Sequence, residues 1–207
     1  MLLNKYIAKQ LAKPSGFLGS LILPRLWNRR NSALNDLAFT CMNLKPDDRI
    51  FEAGFGGGYL LGKVLEVLSD GFVAGIDGSP EIVEFCSKKF KSFVKEGKLE
   101  LKSADVESIP FISENFTKVC SVNTIFYFPD ASKAISEFWR LLQSNGKLIL
   151  CFTVKKDLKN KKFTKYGIKL YEVYEIEKLM KYRGFQNIKT TSGSDKYRDF
   201  VCIEGTK

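Results

Sequence analysis

Apolar residues recur along this chain in two rhythms, and the switching between them predicts its elements. Near the start, Leu2, Leu3, Tyr6, Ile7 and Leu11 share one side of a helical wheel while Lys5, Lys9 and Lys13 lie elsewhere. Residues 2–13 therefore read as an amphipathic helix, broken by Pro14-Ser15-Gly16. A second apolar piece over 17–23 meets Pro24 and runs into Arg25-Leu26-Trp27-Asn28-Arg29-Arg30. Ser32 is placed as the N-cap of a helix through Asn43 that buries Leu34, Leu37, Ala38 and Cys41. From Arg49 the rhythm changes. Short β-favouring runs begin at 49 and recur at 72–77, 99–102, 118–122 and 147–152. Helical patterns separate them: one from Leu60 through Leu68, then 81–96, and then 132–142, closed by Ser144-Asn145-Gly146. A basic loop over 155–167 and a helix over 171–183 follow, and strands at 187–191 and 199–203 are joined through Ser192-Gly193-Ser194-Asp195. Strand, crossover helix and strand in repetition predict an α/β fold with a parallel sheet and a closing antiparallel hairpin.

The junction after the first strand carries the most chemistry. Glu52-Ala53-Gly54-Phe55-Gly56-Gly57-Gly58 sets glycines at 54, 56 and 58. Glycine admits backbone angles closed to other residues and lets a ligand lie against the main chain. The free N–H groups of the next helix, beginning near Gly58, then present the positive end of its dipole to a carboxylate or phosphate. A dinucleotide turn of the G-x-G-x-x-G kind needs its third glycine at 59, where this chain has Tyr59. Asp77, ending the second predicted strand, is placed to accept hydrogen bonds from both hydroxyls of a ribose. Ser79-Pro80-Glu81 already supplies the cap of the following helix. The same acid would serve NAD, so it indicates a nucleoside without separating the cofactors.

The pattern E-x-G-x-G-x-G, met in full by Glu52, Gly54, Gly56 and Gly58, resembles the class I S-adenosylmethionine-dependent methyltransferases, in particular the type 11, ubiquinone/menaquinone methyltransferase-like group. The resemblance covers roughly residues 45 to 205. It implies a Rossmann-like, three-layer α/β/α domain on a seven-stranded, mostly parallel sheet with a C-terminal antiparallel hairpin strand. It also divides the chain into an N-terminal helical arm or lid, 1–44, and a cofactor domain, 45–207. S-adenosylmethionine is the implied cofactor. Carried over by motif, its binding residues are Glu52, Gly54, Gly56, Gly58, Asp77, Gly78 and Asn123, with Asp105 near the adenine amine and the Val106 backbone N–H near the ring. The run 123–130 lacks the N-P-P-Y/F sequence of enzymes that methylate base amines in DNA, which makes nucleic acid the less favoured partner. Phe126, Tyr127 and Phe128 are candidates to wall in the sulfonium, whose charge aromatic faces favour. No catalytic residue is assigned; Tyr127 and Tyr166 are the weak candidates, as helpers to a hydroxyl acceptor.

Composition narrows the chemistry. The chain has no histidine, which removes Ser-His-Asp hydrolysis and His-based zinc sites, and no metal is expected. Its five cysteines contain no C-x-x-C pair and read as core residues in a reducing compartment. With no secretory segment and no run of about 18 apolar residues, a cytoplasmic protein is expected. The formal charge of +10 is uneven. Residues 1–35 hold Lys5, Lys9, Lys13, Arg25, Arg29 and Arg30 with no acid, and 155–169 holds seven lysines against Asp157. Such segments are either solvated faces or meet an anionic partner. Three readings follow: a methyltransferase for a small-molecule or lipid-like acceptor, with residues 1–31 as lid or as peripheral membrane contact; a methyltransferase for a macromolecule such as RNA or protein; and a nucleoside-binding module without catalysis.

Overall fold

The computed structural model describes residues 2–16 and 22–207, so the apolar run expected over 17–23 lies largely outside the described residues. The chain opens with α1 (Leu2–Ala12), α2 (Leu23–Arg30) and α3 (Ser32–Met42). It continues through β1 (Arg49–Ala53), α4 (Tyr59–Val67), β2 (Phe72–Asp77), α5 (Pro80–Lys89), α6 (Lys91–Lys95), β3 (Leu99–Ser103) and β4 (Phe116–Val122). Then come α7 (Ala131–Leu141), β5 (Leu142–Thr153), α8 (Lys155–Leu158), α9 (Val173–Arg183), β6 (Gln186–Asp195) and β7 (Arg198–Thr206).

All seven strands form one sheet in the order β3-β2-β1-β4-β5-β7-β6. β1 to β5 run parallel, while β7 is antiparallel to β5 and β6 to β7. The pleat sorts their side chains into two cores. Phe51, Leu148, Leu150 and Phe152 face α7 and α9, which contribute Ile135, Phe138, Ile176 and Met180. Ile50, Val73, Ile149 and Cys151 face the other way, toward Leu34, Ala38 and Met42 of α3 and Leu60, Leu61 and Val64 of α4. Three layers result, as expected. Four of the five cysteines are buried in the second core and all five are free thiols, in line with their reading as small apolar residues. Strand order reverses between β1 and β4. The crevice outside the carboxyl ends of those strands is where an open α/β sheet takes a ligand.

Several boundaries differ from expectation for local reasons. Ser32 is the first residue of α3 rather than its cap; Asn31 precedes it, and its carbonyl accepts from the Asn35 N–H at 2.9 Å. The helix expected over 81–96 is split at Phe90, whose ring turns into the second core beside Gly58 and Gly62. Ser144-Asn145-Gly146 belongs to an irregular start of β5, with Asn145 left-handed at φ 64°, instead of closing α7. The hairpin turns later than expected, at Lys196 and Tyr197. Gly193 lies within β6 because the Phe200 ring packs where its side chain would stand, and the Asp195 carboxylate accepts from Tyr197 N–H at 2.7 Å and Arg198 N–H at 3.1 Å.

Candidate functional site

At the end of β1 the chain must turn over the sheet edge and enter α4 at once. Gly54, Gly56 and Gly58 all carry positive φ, and the Gly54 N–H donates to the Ile76 carbonyl at 2.7 Å. Any Cβ at Gly54 would stand 2.6 Å from the Thr124 methyl, so both angle and space demand glycine. Gly57 is closed off from above, where a Cβ would meet the Pro24 carbonyl at 2.1 Å. The glycine turn is thus pressed between the sheet and α2.

Two carboxyls face each other across this turn. Asp77 Oδ2 accepts from the Gly56 N–H at 3.1 Å and Oδ1 from the Ser79 N–H at 3.0 Å, which ties the end of β2 to the glycine turn. Burial pushes the Asp77 pKa up to about 6 against the pull of those two amides. Glu52 is 3% exposed and accepts no hydrogen bond from the described residues; burial, then the charge of Asp77, pushes its pKa up to about 8. Both carboxyls line one cavity of about 560 Å³, which Gly54, Gly56, Gly78, Asp105, Val106 and Asn123 also line. The motif residues, which span 72 positions from Glu52 to Asn123, are therefore gathered at one place, except that Gly58 sits just behind the lining as the left-handed cap of α4.

The remaining expected residues divide. Asp105 turns its carboxylate to its own loop, accepting from the Glu107 N–H at 2.9 Å, while Val106 is buried beside it. Asn123 is left-handed at φ 60°, and its Oδ1 accepts from Thr153 N–H and Oγ1 at 3.2 and 2.9 Å. Tyr127 and Phe128 line the cavity, but Phe126 belongs to the core, with its ring edge-on to Tyr127 at 4.8 Å. Burial raises the Tyr127 pKa well above the usual phenol range, partly countered by Arg198, so this phenol keeps its proton and cannot act as a base near neutrality. Tyr166 is not brought to the cavity; it follows a 3-10 turn at Lys162–Lys165.

The sequence reading expected a lid from the N-terminal arm but named none of its residues as roofing the cavity. Leu11 to Pro14 from α1 and Trp27, Asn28, Asn31 and Asn35 from α2 and α3 complete the lining. Several hydrogen bonds hold the roof down. Ser79 Oγ donates to the Pro14 carbonyl at 2.6 Å, and Asn28 Nδ2 donates to the Gly57 carbonyl at 2.9 Å. Arg198 Nη2 donates to Asn31 Oδ1 and to the Arg30 carbonyl, both at 2.6 Å. The signal that could have found part of it is the asparagine spacing at 28, 31 and 35, which stacks three amides along one helical side of a basic, apolar segment.

The chemistry of the lining admits a test of S-adenosylmethionine. A buried carboxyl at Glu52 with no hydrogen-bond partner among the described residues suits an ammonium group, and the Asp77 carboxylate retains acceptor sites for a diol beyond its two backbone bonds. A Cβ built on Gly78 meets no protein atom within 4 Å, so the chain leaves clear space beside that acid. The residues present fit the group. Among the described residues no cluster of three or more His, Cys, Asp or Glu side chains could hold a metal ion.

Comparisons with known proteins agree. Residues 51–150 match the family described as Methyltransferase domain. An uncharacterized methyltransferase YdaC of Bacillus subtilis is 25% identical over 178 residues, covering 86% of this chain and 93% of that protein. The ubiquinone/menaquinone biosynthesis C-methyltransferase UbiE of Geotalea daltonii is 27% identical over 106 residues, covering 51% of this chain and 45% of its own length. In fold, a SAM-dependent methyltransferase from Aquifex aeolicus superposes with a TM-score of 0.69 at 15% identity, covering 98% of this chain and 97% of that one.

Proposed function

Because the chain is a class I S-adenosylmethionine-dependent methyltransferase, with that molecule as its cofactor, we propose that its acceptor is a small, lipid-like molecule taken into the roofed cavity. The observation that carries this reading is the roof itself. α1 and α2 are hydrogen-bonded across the cavity to α5, the glycine turn and β7, which leaves a chamber in place of an open groove for a polymer. In this reading Glu52 holds the cofactor's ammonium, Asp77 its ribose hydroxyls, and Asp105 with Val106 its adenine, while the turn from Gly54 to Gly58 lets it lie close to the backbone. The relative that acts in ubiquinone and menaquinone biosynthesis lends weight to an apolar acceptor. Residues 1–31 serve as lid and as the part that touches a membrane. Among the described residues no helix is long and apolar enough to cross one.

Bound, the cofactor supplies an activated methyl group on a positively charged sulfur. The chain's own contribution is alignment and dryness. Tyr127 and Phe128 give the cavity an aromatic wall suited to positive charge, and the roof covers it. Tyr127 holds its proton, so it orients an acceptor by donating a hydrogen bond. The acceptor must bring its own nucleophile or surrender a proton to a carboxylate.

Calorimetric titration with S-adenosylmethionine and S-adenosylhomocysteine, with NADH as control, tests the cofactor half; the expected result is binding of the sulfur nucleosides alone. Transfer of labelled methyl to a hydroquinone and lipid acceptor panel tests the other half. Labelling of RNA or protein in its place would overturn the acceptor class and leave the cofactor reading intact.

A further inference from the structure

The two basic segments, separated by over a hundred residues in sequence, meet in the fold. α1 packs against the 3-10 turn Lys162–Lys165, so exposed Lys5 and Lys9 lie beside exposed Lys161, Lys162 and Lys165. The tip of the β6–β7 hairpin joins them from the other side. The Arg30 guanidinium lies over the Tyr197 ring at 5.5 Å and the Lys196 ammonium at 4.8 Å, while Arg198 bonds the Arg30 carbonyl. None of Lys5, Lys9, Arg25, Arg29, Arg30, Lys161, Lys162, Lys165 or Lys196 is ion-paired among the described residues. The nearby pairs, Lys155 with Glu172 and Lys156 with Asp199, leave them out. The same elements carry large exposed apolar side chains: Leu3 at 69%, Tyr6 at 50%, Leu26 at 42% and Tyr197 at 58%. The face is also the outside of the cavity roof, since α1 and α2 carry Leu11, Pro14, Trp27 and Asn28 on their inner sides.

We propose that α1, α2, the 162–165 turn and the hairpin tip form one docking face for an anionic lipid bilayer, which sets the roofed cavity against the membrane so that an apolar acceptor passes into it from the lipid. Unneutralised cations attract acidic headgroups, and the exposed aliphatic side chains of the same elements have a place to go only where the partner has an apolar interior. Phosphates of RNA would satisfy the lysines and arginines but offer nothing to Leu3 and Leu26, which favours the bilayer. The docking itself is independent of the acceptor; only the route of entry rests on the lipid-like reading above.

Flotation of the full chain with vesicles of phosphatidylcholine alone, or with about 30% phosphatidylglycerol, tests it. A single-stranded oligonucleotide serves as competitor. The expected result is binding to the anionic vesicles only, weakened by salt. Removal of two distant cations in Lys162→Gln/Lys165→Gln should lower the partition by roughly fivefold per charge, and Leu3→Ser/Tyr6→Ser should lower it at fixed charge. Calorimetric affinity for S-adenosylmethionine is measured on each variant, and an unchanged value shows that the cavity is intact. Should either variant lose that affinity, Arg25→Gln/Arg29→Gln takes its place. Indifference to lipid charge, equal partition of parent and variants, or capture of the oligonucleotide with vesicles left unbound would each overturn the docking face. A failed acceptor screen would not.

Discussion

Glu52 and Asp77 reach the same cavity from neighbouring strands, and their different surroundings give them different dependences on pH. Glu52 has a folded pKa of about 8 against an ordinary value of 4.5. Between those values the folded chain holds a proton that the unfolded chain has released, so stability falls as pH rises through this window and levels off above it. Melting curves from about pH 5 to about pH 8.5 should show that decline, and Glu52→Gln should flatten it. Asp77, at about 6, is ionised at neutrality and accepts best in that form. Affinity for S-adenosylmethionine is expected to drop as pH falls through about 6, as Asp77 takes up its proton. Asp77→Ala should weaken it by at least about 1–3 kcal/mol, checked by calorimetry. Two glycines separate fold from ligand. Gly54→Ala meets Thr124 and must destabilise the chain, whereas Gly78→Ala meets no protein atom and should leave the melting temperature unchanged while reducing cofactor affinity. At this scale the motif residues were legible because each stands at the end of a strand or in the turn that follows, and parallel strands bring those ends together. Trp27 and Arg198 were not, because nothing local marks a polar or aromatic side chain that meets its partner only through the fold.

Among the elements, α5 does two jobs through one residue. Ser79 Oγ accepts from the Ile82 N–H at 3.3 Å as the helix cap and donates to the Pro14 carbonyl of the arm. Ser79→Ala should cost about 1 kcal/mol of stability through the cap. It should also speed tryptic cleavage at Lys9 well beyond what that loss predicts; unchanged cleavage would mean that the arm is held elsewhere. The strands of the parallel sheet were readable because their apolar runs are continuous, being covered on both sides. Helix ends and the hairpin turn were less so. Phe90 reads as one more helical residue until Gly58 and Gly62 leave a space for its ring, and Gly193 reads as a turn until Phe200 is seen to cover it. In α1 the wheel placed Leu3 and Tyr6 on the apolar side, yet both are exposed while Ala8 and Gln10 are buried. A periodic pattern identifies an apolar side but does not say what, if anything, covers it.

At the scale of the whole molecule, neither hydrophobic core draws a fully buried member from the described residues of 1–31. A chain beginning at Ser32 should therefore keep its sheet, with a far-UV spectrum like that of the parent, and lose cofactor affinity by tenfold or more as the cavity loses Trp27, Asn28 and the end of α1. The arm is thus a part that can lift while the sheet stays whole. Its fastenings, among them those at Pro14, at Gly57 and at Arg30 with Asn31, must part before a spent nucleoside can leave. Turnover would then keep the tempo of the roof rather than of the methylation. A rapid-quench trace should show a fast first equivalent of product followed by a slower steady phase, and only the steady phase should slow as sucrose thickens the solvent.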